Sequence, residues 1–167
     1  EHDMCAQEWG EITYENVPSI AGSRYKKAFN RHDEQRYTEY LRSVQRGEKK
    51  MNTKVLMPYQ IVSPYLKSVS RSTTRDETTE EQWVSFLEDR RSKWTSGVNI
   101  LPLIDVSGSM FTGKEPQAVE VAVSLGMVFS LLNSSPQYNG KFITFHDHPE
   151  LLSIRGNSLI EQVNSIK

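Results

Sequence analysis

Apolar residues in the first part of the chain recur at helical spacing. Tyr37, Tyr40, Leu41 and Val44 fall at i, i+3, i+4 and i+7, which is one face of a helix. Asp33 stands where that helix needs a cap and Gly47 where it needs to stop. Upstream, Ser19 is placed to cap a helix through Phe29, with Tyr25 and Phe29 four positions apart on one side. Residues 1–18 carry Trp9, Ile12, Tyr14 and Val17 without a period and close on Pro18, so an extended lead-in packed on later helices is expected. Pro58 suits the first turn of a further helix reaching about Val69, which Pro64 should kink or split.

The pattern then breaks. Ser70 to Glu80 contains no apolar residue, and a segment that cannot bury surface reads as a mobile loop or linker. Thr79 and Gln82, at capping-box spacing, open a helix that carries Trp83, Phe86, Leu87 and Trp94 and runs to about Ser96. After Gly97 a strand is expected over Val98–Val106, and the contiguous apolarity of Ile100–Ile104 predicts burial on both faces, as inside a parallel sheet. Residues 115–133 form a helix that is apolar around most of its circumference. Lys141–Phe145 is a second strand, His146-Asp147-His148-Pro149 its turn, and Glu150–Ile154 a third strand in a hairpin with it. Asn157 or Ser158 starts a last helix. The chain is therefore mixed α/β, divided into a helical region (1–69), a flexible linker (70–80), a connecting helix (81–97) and an α/β part (98–167).

Composition narrows the class. With 167 residues and a net charge of −1, the chain is no polyelectrolyte. Cys5 is its single cysteine, which rules out an internal disulfide framework and fits a reducing compartment. The apolar stretch Ala118–Leu132 is interrupted by Glu120 and Ser124 and falls short of the roughly 18 residues that span a membrane. Glu1-His2-Asp3 is acidic and resembles no signal peptide, so an intracellular, cytoplasmic protein without a membrane segment is expected. A start other than Met suggests a piece of a longer product.

The chemistry concentrates where the first strand ends. In Leu103-Ile104-Asp105-Val106-Ser107-Gly108-Ser109-Met110, one carboxylate and two hydroxyls occupy alternate positions, which share a face in extended chain. If the turn curls around a point, Asp105, Ser107 and Ser109 present it with an anion and two neutral oxygens. That set suits a hard divalent cation such as Mg²⁺. Gly108 would keep the turn tight. Competing roles are weaker. Gly108 to Lys114 satisfies the phosphate-cradling pattern Gly-x-x-x-x-Gly-Lys, but Glu115 and Pro116 follow where a hydroxyl should meet magnesium. A phosphatase using Asp105 as nucleophile needs an acid two residues on, where Ser107 stands. His146 and His148, at alternate turn positions, are solvated rather than shared by one ion, and Cys5 has no neighbour to activate it.

Between Ser19 and Lys67 the basic residues leave seven positive charges in excess, interleaved with aromatic rings. Arg24, Lys26, Lys27, Arg31, Lys49 and Lys50 are the candidates for contact with nucleic-acid phosphates, and exposed tyrosines would add stacking. Against this, Tyr37 and Tyr40 share a stripe with Leu41 and Val44, and such a stripe packs a core.

Asp-x-Ser-x-Ser with an intervening Gly and a following Met, after an apolar strand and before a long apolar helix and a strand hairpin, resembles the metal-ion-dependent adhesion site of von Willebrand factor A (vWA) domains. The resemblance covers about Val98 to Lys167 and implies the first portion of a larger, mostly parallel sheet. It also implies a cation at Asp105, Ser107 and Ser109 that engages an acidic side chain of a partner protein. Further ligands, a Thr and an Asp on later loops, would lie after Lys167. A sheet with so few strands exposes edges and an apolar face and invites self-association. The helical part, through Val17-Pro18-Ser19, Lys26-Lys27-Ala28-Phe29, Tyr40-Leu41, Gly47 and Leu56-Met57-Pro58-Tyr59, resembles a domain-of-unknown-function family of plants, fungi and large DNA viruses. That layout is shared with the Ro-type (TROVE) RNA-binding proteins. The expected function is a non-enzymatic, divalent-cation-dependent protein-interaction module. The alternatives are an RNA-binding scaffold and, third, nucleotide binding at Gly108–Lys114.

Overall fold

A computed structural model describes residues 2–67, 74–94, 97 and 99–167. Among these residues, seven α-helices and three strands run in the order α1 (His2–Cys5), α2 (Ser19–His32), α3 (Glu34–Gln45), α4 (Pro58–Leu66), α5 (Glu77–Arg91), β1 (Leu103–Asp105), α6 (Ala118–Leu132), β2 (Lys141–Phe145), β3 (Leu151–Ser153) and α7 (Leu159–Asn164). The mixed α/β class is as expected. The chain divides into two compact units, residues 1–56 with 76–86, and residues 57–75 with 87–167. No helix among the described residues is long and apolar enough to cross a membrane.

The first unit is all helical. The stripe Tyr37, Tyr40, Leu41 and Val44 is buried with Ile12, Tyr14 and Phe29, and Gly47 ends α3 with φ at +73°, a conformation that glycine adopts without strain. Residues 2–18 are not the extended lead-in that the aperiodic apolar residues of 1–18 suggest. They form α1 and two 3-10 turns, Trp9–Glu11 and Tyr14–Asn16, which swing Tyr14 into the core. Asp33 precedes α3 but does not cap it with its side chain. Its carboxylate instead accepts the Tyr14 hydroxyl at 2.6 Å and the Arg36 guanidinium at 2.9 Å, while Arg36 also donates to the carbonyls of Trp9 and Ile12. Ser19 lies inside α2 rather than capping it, with a buried hydroxyl.

The expected linker 70–80 needs the largest correction. Residues 70–73 lie outside the described ones, but Glu77–Glu80 already belong to α5, and Thr78 to Gln82 are buried. Asp76, not Thr79, provides the cap, accepting the Thr79 amide at 3.0 Å. This polar turn is buried through hydrogen bonds and not through apolar area. Thr78 pairs with the Tyr37 hydroxyl, Gln82 with Ser23, Glu81 with Gln45, and Lys26 reaches both Thr79 and Asp76. The helix ends at Arg91, before Ser96.

Burial pushes the phenols of Tyr37 and Tyr40 up to about 12. Their neutral forms therefore stabilise this unit fully below the unfolded value of about 10, and that contribution is lost as pH rises towards 12. Tyrosinate absorbance is expected to develop in two stages, the second coinciding with loss of helical circular dichroism. Ionisation of all seven tyrosines near pH 10 in a chain that stays helical would contradict this.

In the second unit the strands form one sheet in the order β1-β2-β3, parallel between β1 and β2 and antiparallel between β2 and β3. The hairpin of β2 and β3 is as expected. β1 is shorter than predicted and starts at Leu103; Val98 lies outside the described residues. Helix α6 packs on β1 and β2, α4 packs on α6, and α7 touches α4. Ile61 and Val62 of α4, Met127 of α6, and Leu159 and Val163 of α7 are buried, as are Ile104 of β1 and Phe142 of β2. The side of the sheet opposite α6 is open. Leu103, Ile143 and Leu151 are in register across it, and Leu103 is 64 % exposed, so β1 is not buried on both faces. Pro64 does not split α4, which runs unbroken to Leu66; the predicted continuation to Val69 lies outside the described residues.

Candidate metal centre

Asp105 is the last residue of β1, and its register partner is Phe145, the last of β2. Because these two strands are parallel, the turns that follow them lie side by side at the carboxyl ends of the strands, where open α/β sheets bind ligands. The chain after Asp105 closes into a 3-10 turn over Gly108–Phe111, pinned by the Met110 amide on the Ser107 carbonyl at 2.9 Å and by the Thr112 hydroxyl on the Ser109 carbonyl at 2.8 Å. This turn brings the three predicted residues together. One Asp105 oxygen accepts the Ser107 amide at 2.8 Å, and the hydroxyls of Ser107 and Ser109 lie 3.3 Å apart. The Ser107 hydroxyl and amide hold the Asp105 carboxyl below the usual carboxylate range, so it is charged at neutral pH.

Two cis oxygens on an octahedral ion with bonds of about 2.1 Å are separated by roughly 3 Å. The hydroxyl pair is near that spacing, beside a charged carboxylate, so the donor set fits a magnesium-type ion. Against the turn lies a cleft of about 310 Å³ lined by Ser107, Gly108, Phe111, His146 and Asp147. Gly108 does not serve as expected: its φ is not in the left-handed region, and a Cβ there would meet nothing within 4 Å. What the missing side chain leaves is open space at the cleft. Gly113, with φ +104°, is the position in this loop whose backbone favours glycine.

His146 and Asp147 were not legible as part of this site. Their spacing says turn, and the His148 amide indeed donates to His146 Nδ1 at 3.2 Å. Only the parallel pairing of β1 with β2 sets them against Ser107. They do not complete a compact charged triad with Asp105. Among the described residues such a group occurs at His2 and Asp3 of α1 with Glu8 just after it, remote in sequence from the motif. Among the described residues, Asp105 is thus the one carboxylate of this turn that would hold the ion.

The phosphate-loop alternative is poorly served. Helix α6 begins at Ala118, four residues beyond Lys114, so its free amides are not presented by Gly108–Lys114. The basic candidates separate. Lys26 pairs with Asp76 at 2.6 Å and Lys49 with Glu15 at 2.5 Å. Arg24, Lys27 and Arg31 stand exposed on one face of α2, and Lys50 is exposed elsewhere. Tyr37, Tyr40 and Phe29 are core residues and offer no face for stacking. Cys5 is exposed.

Comparison with known proteins places the chain by family. It belongs to the family defined by the domain of unknown function DUF2828, whose model matches residues 1–95. A second model, the domain of unknown function DUF7788, matches residues 99–167, the segment that holds the sheet and the motif. Over 98 % of its length the chain is similar, at 30 % identity over 177 residues, to "Uncharacterized protein L728" of Acanthamoeba polyphaga mimivirus. It spans about 29 % of that relative. No solved structure matches.

Proposed function

We propose that the turn after β1 holds a divalent cation of the magnesium type, and that the ion docks an acidic side chain of a partner protein, in the manner of a vWA domain. The observation that carries this reading is the convergence of a charged Asp105 with the Ser107 and Ser109 hydroxyls, 3.3 Å apart, beside an open cleft. Two of the three ligands are neutral, so most of the ion's charge remains for an incoming carboxylate. That favours a binding role over a catalytic one. An isolated site with one carboxylate binds weakly, because affinity for such ions rises with the number of charged ligands.

RNA binding through α2 stands second. Arg24, Lys27 and Arg31 support it as an exposed basic stripe, but half of the basic cluster's logic, the interleaved rings, is spent on the core.

Manganese tests the first reading directly, since it takes the same oxygen ligands and broadens nearby NMR signals. Substoichiometric Mn²⁺ is expected to broaden the amides of residues 105–110 and 146–147 first, and excess Mg²⁺ to restore them. Broadening confined to His2, Asp3 and Glu8, or spread evenly over acidic surface residues, would sink the proposal.

A further inference from the structure

A second cavity, of about 390 Å³, opens between α4 and the loop that leads into α6, with Tyr59, Gln60, Ser63, Lys67, Glu115 and Glu120 in its wall. Glu120 is only 4 % exposed. One of its oxygens accepts the Gln117 amide at 2.7 Å and so caps α6. The other, Oε1, is buried and has no hydrogen-bond partner among the described residues. The Ser63 hydroxyl, 8 % exposed, lies near Glu120 in the same wall without a hydrogen bond of normal geometry. A buried carboxylate oxygen left without a donor is costly, and native structures normally supply one.

Lys67 does not discharge that need. Its ammonium sits 2.8 Å from the exposed Glu115 and 3.5 Å from Glu120 Oε1, so its short contact is with the wrong carboxylate. Burial opposes ionisation of Glu120. The Gln117 amide, the nearby Ser63 hydroxyl and Lys67 outweigh it and hold the carboxyl below its ordinary range. Two carboxylates and one ammonium leave the wall with one negative charge in excess. The unmet groups are an anionic acceptor and a hydroxyl, and the space exceeds that of a water molecule many times over. An anion is disfavoured by the net charge. A neutral apolar group would leave Oε1 unsatisfied.

We propose that this cavity binds an alkylammonium or guanidinium group, with Glu120 Oε1 and Ser63 Oγ as its acceptors and Lys67 as a built-in competitor. The inference does not rest on the cation at the Asp105 turn. The cationic group comes either from a lysine or arginine side chain of a partner protein or from a free polyamine.

The full chain, labelled with ¹⁵N and kept in EDTA to silence the turn, is titrated separately with Nα-acetyl-arginine methylamide, spermidine and inorganic phosphate. Saturable shifts at Ser63, Gln117 and Glu120 are expected with a cation. Preference for the arginine derivative assigns the site to a side chain, and preference for spermidine assigns it to a polyamine. Glu120→Gln keeps an acceptor for the Gln117 amide but loses the charge, and should weaken binding by more than about five-fold. Lys67→Met, at an exposed position, should strengthen it by roughly two- to five-fold by removing the competitor. That variant decides the matter even if Glu120→Gln fails to fold. Absence of shifts with both cations, saturable binding of phosphate, or weaker cation binding by Lys67→Met would each overturn the proposal.

Discussion

Gly126→Ala is expected to destabilise the second unit by about 1–3 kcal/mol, the usual cost of forcing a methyl into a packed core. At Gly126, α6 passes close to Ile104 of β1. A Cβ built there collides with Cδ1 of Ile104 and lies 2.8 Å from its Cγ1. Ile104 is 4 % exposed, so turning its side chain away from the new methyl presses it on packed neighbours, and it sits beside Asp105 on β1. The glycine thus provides room for the neighbouring strand and not a special backbone angle. Ile104→Ala alone creates a cavity and costs about 2–5 kcal/mol. Combined with Gly126→Ala, however, the two changes relieve one another, and the double variant should be more stable than the sum of the single losses by about 1–3 kcal/mol. Because the chain has two units, the measurement should be local. Hydrogen exchange of the α6 and β1 amides reports this unit alone, whereas a single melting midpoint does not. Unchanged protection in Gly126→Ala would mean that α6 rides higher over β1 than described.

The same contact shows what the sequence could and could not reveal. The apolar run Ala118–Leu132 announces a buried helix, but the close approach of Gly126 to Ile104 is visible only in three dimensions. Elements defined by spacing were legible: the α3 stripe, β2 from Lys141 to Phe145, and the hairpin to β3. Elements buried by polar contacts were not. Thr78 to Gln82 contain no apolar side chain, yet they lie inside the first unit because Tyr37, Gln45, Ser23 and Lys26 meet them with hydrogen bonds. Hydrophobic patterning carries no information about such pairings. Contiguous apolarity misled in the opposite direction at Leu103, where the second face of β1 stays open. A run of leucine and isoleucine shows that a strand can be covered on both sides, not that it is. The candidate metal residues were readable because one short turn holds all three. His146 and Asp147 join them across the cleft only through strand pairing, a non-local fact.

Asp105→Asn is expected to abolish measurable binding of Mg²⁺ or Mn²⁺, a loss of more than about a hundred-fold, while leaving the fold intact. The substitution is chosen for its geometry. An asparagine oxygen can still accept the Ser107 amide, now at 2.8 Å from the carboxylate, so the turn keeps its local hydrogen bond and only the charge is removed. Ser107→Ala and Ser109→Ala each remove one neutral ligand whose place a water can take, and should cost less, about ten-fold or below. Calorimetry gives the affinities, and far-ultraviolet circular dichroism checks the fold. The pH profile separates this site from a histidine one. Asp105 is held below the ordinary carboxylate range by the Ser107 hydroxyl and amide, so it stays ionised as acid is added. Affinity should therefore be level from pH 7 to pH 5 and fall only below about pH 4, as the carboxylate takes up its proton. A decline beginning near neutrality would show that a group other than Asp105 holds the ion. If Asp105→Asn binds as well as the parent, the three oxygens form a hydrogen-bonded turn and nothing more, and the docking of an acidic partner through a shared cation falls with them.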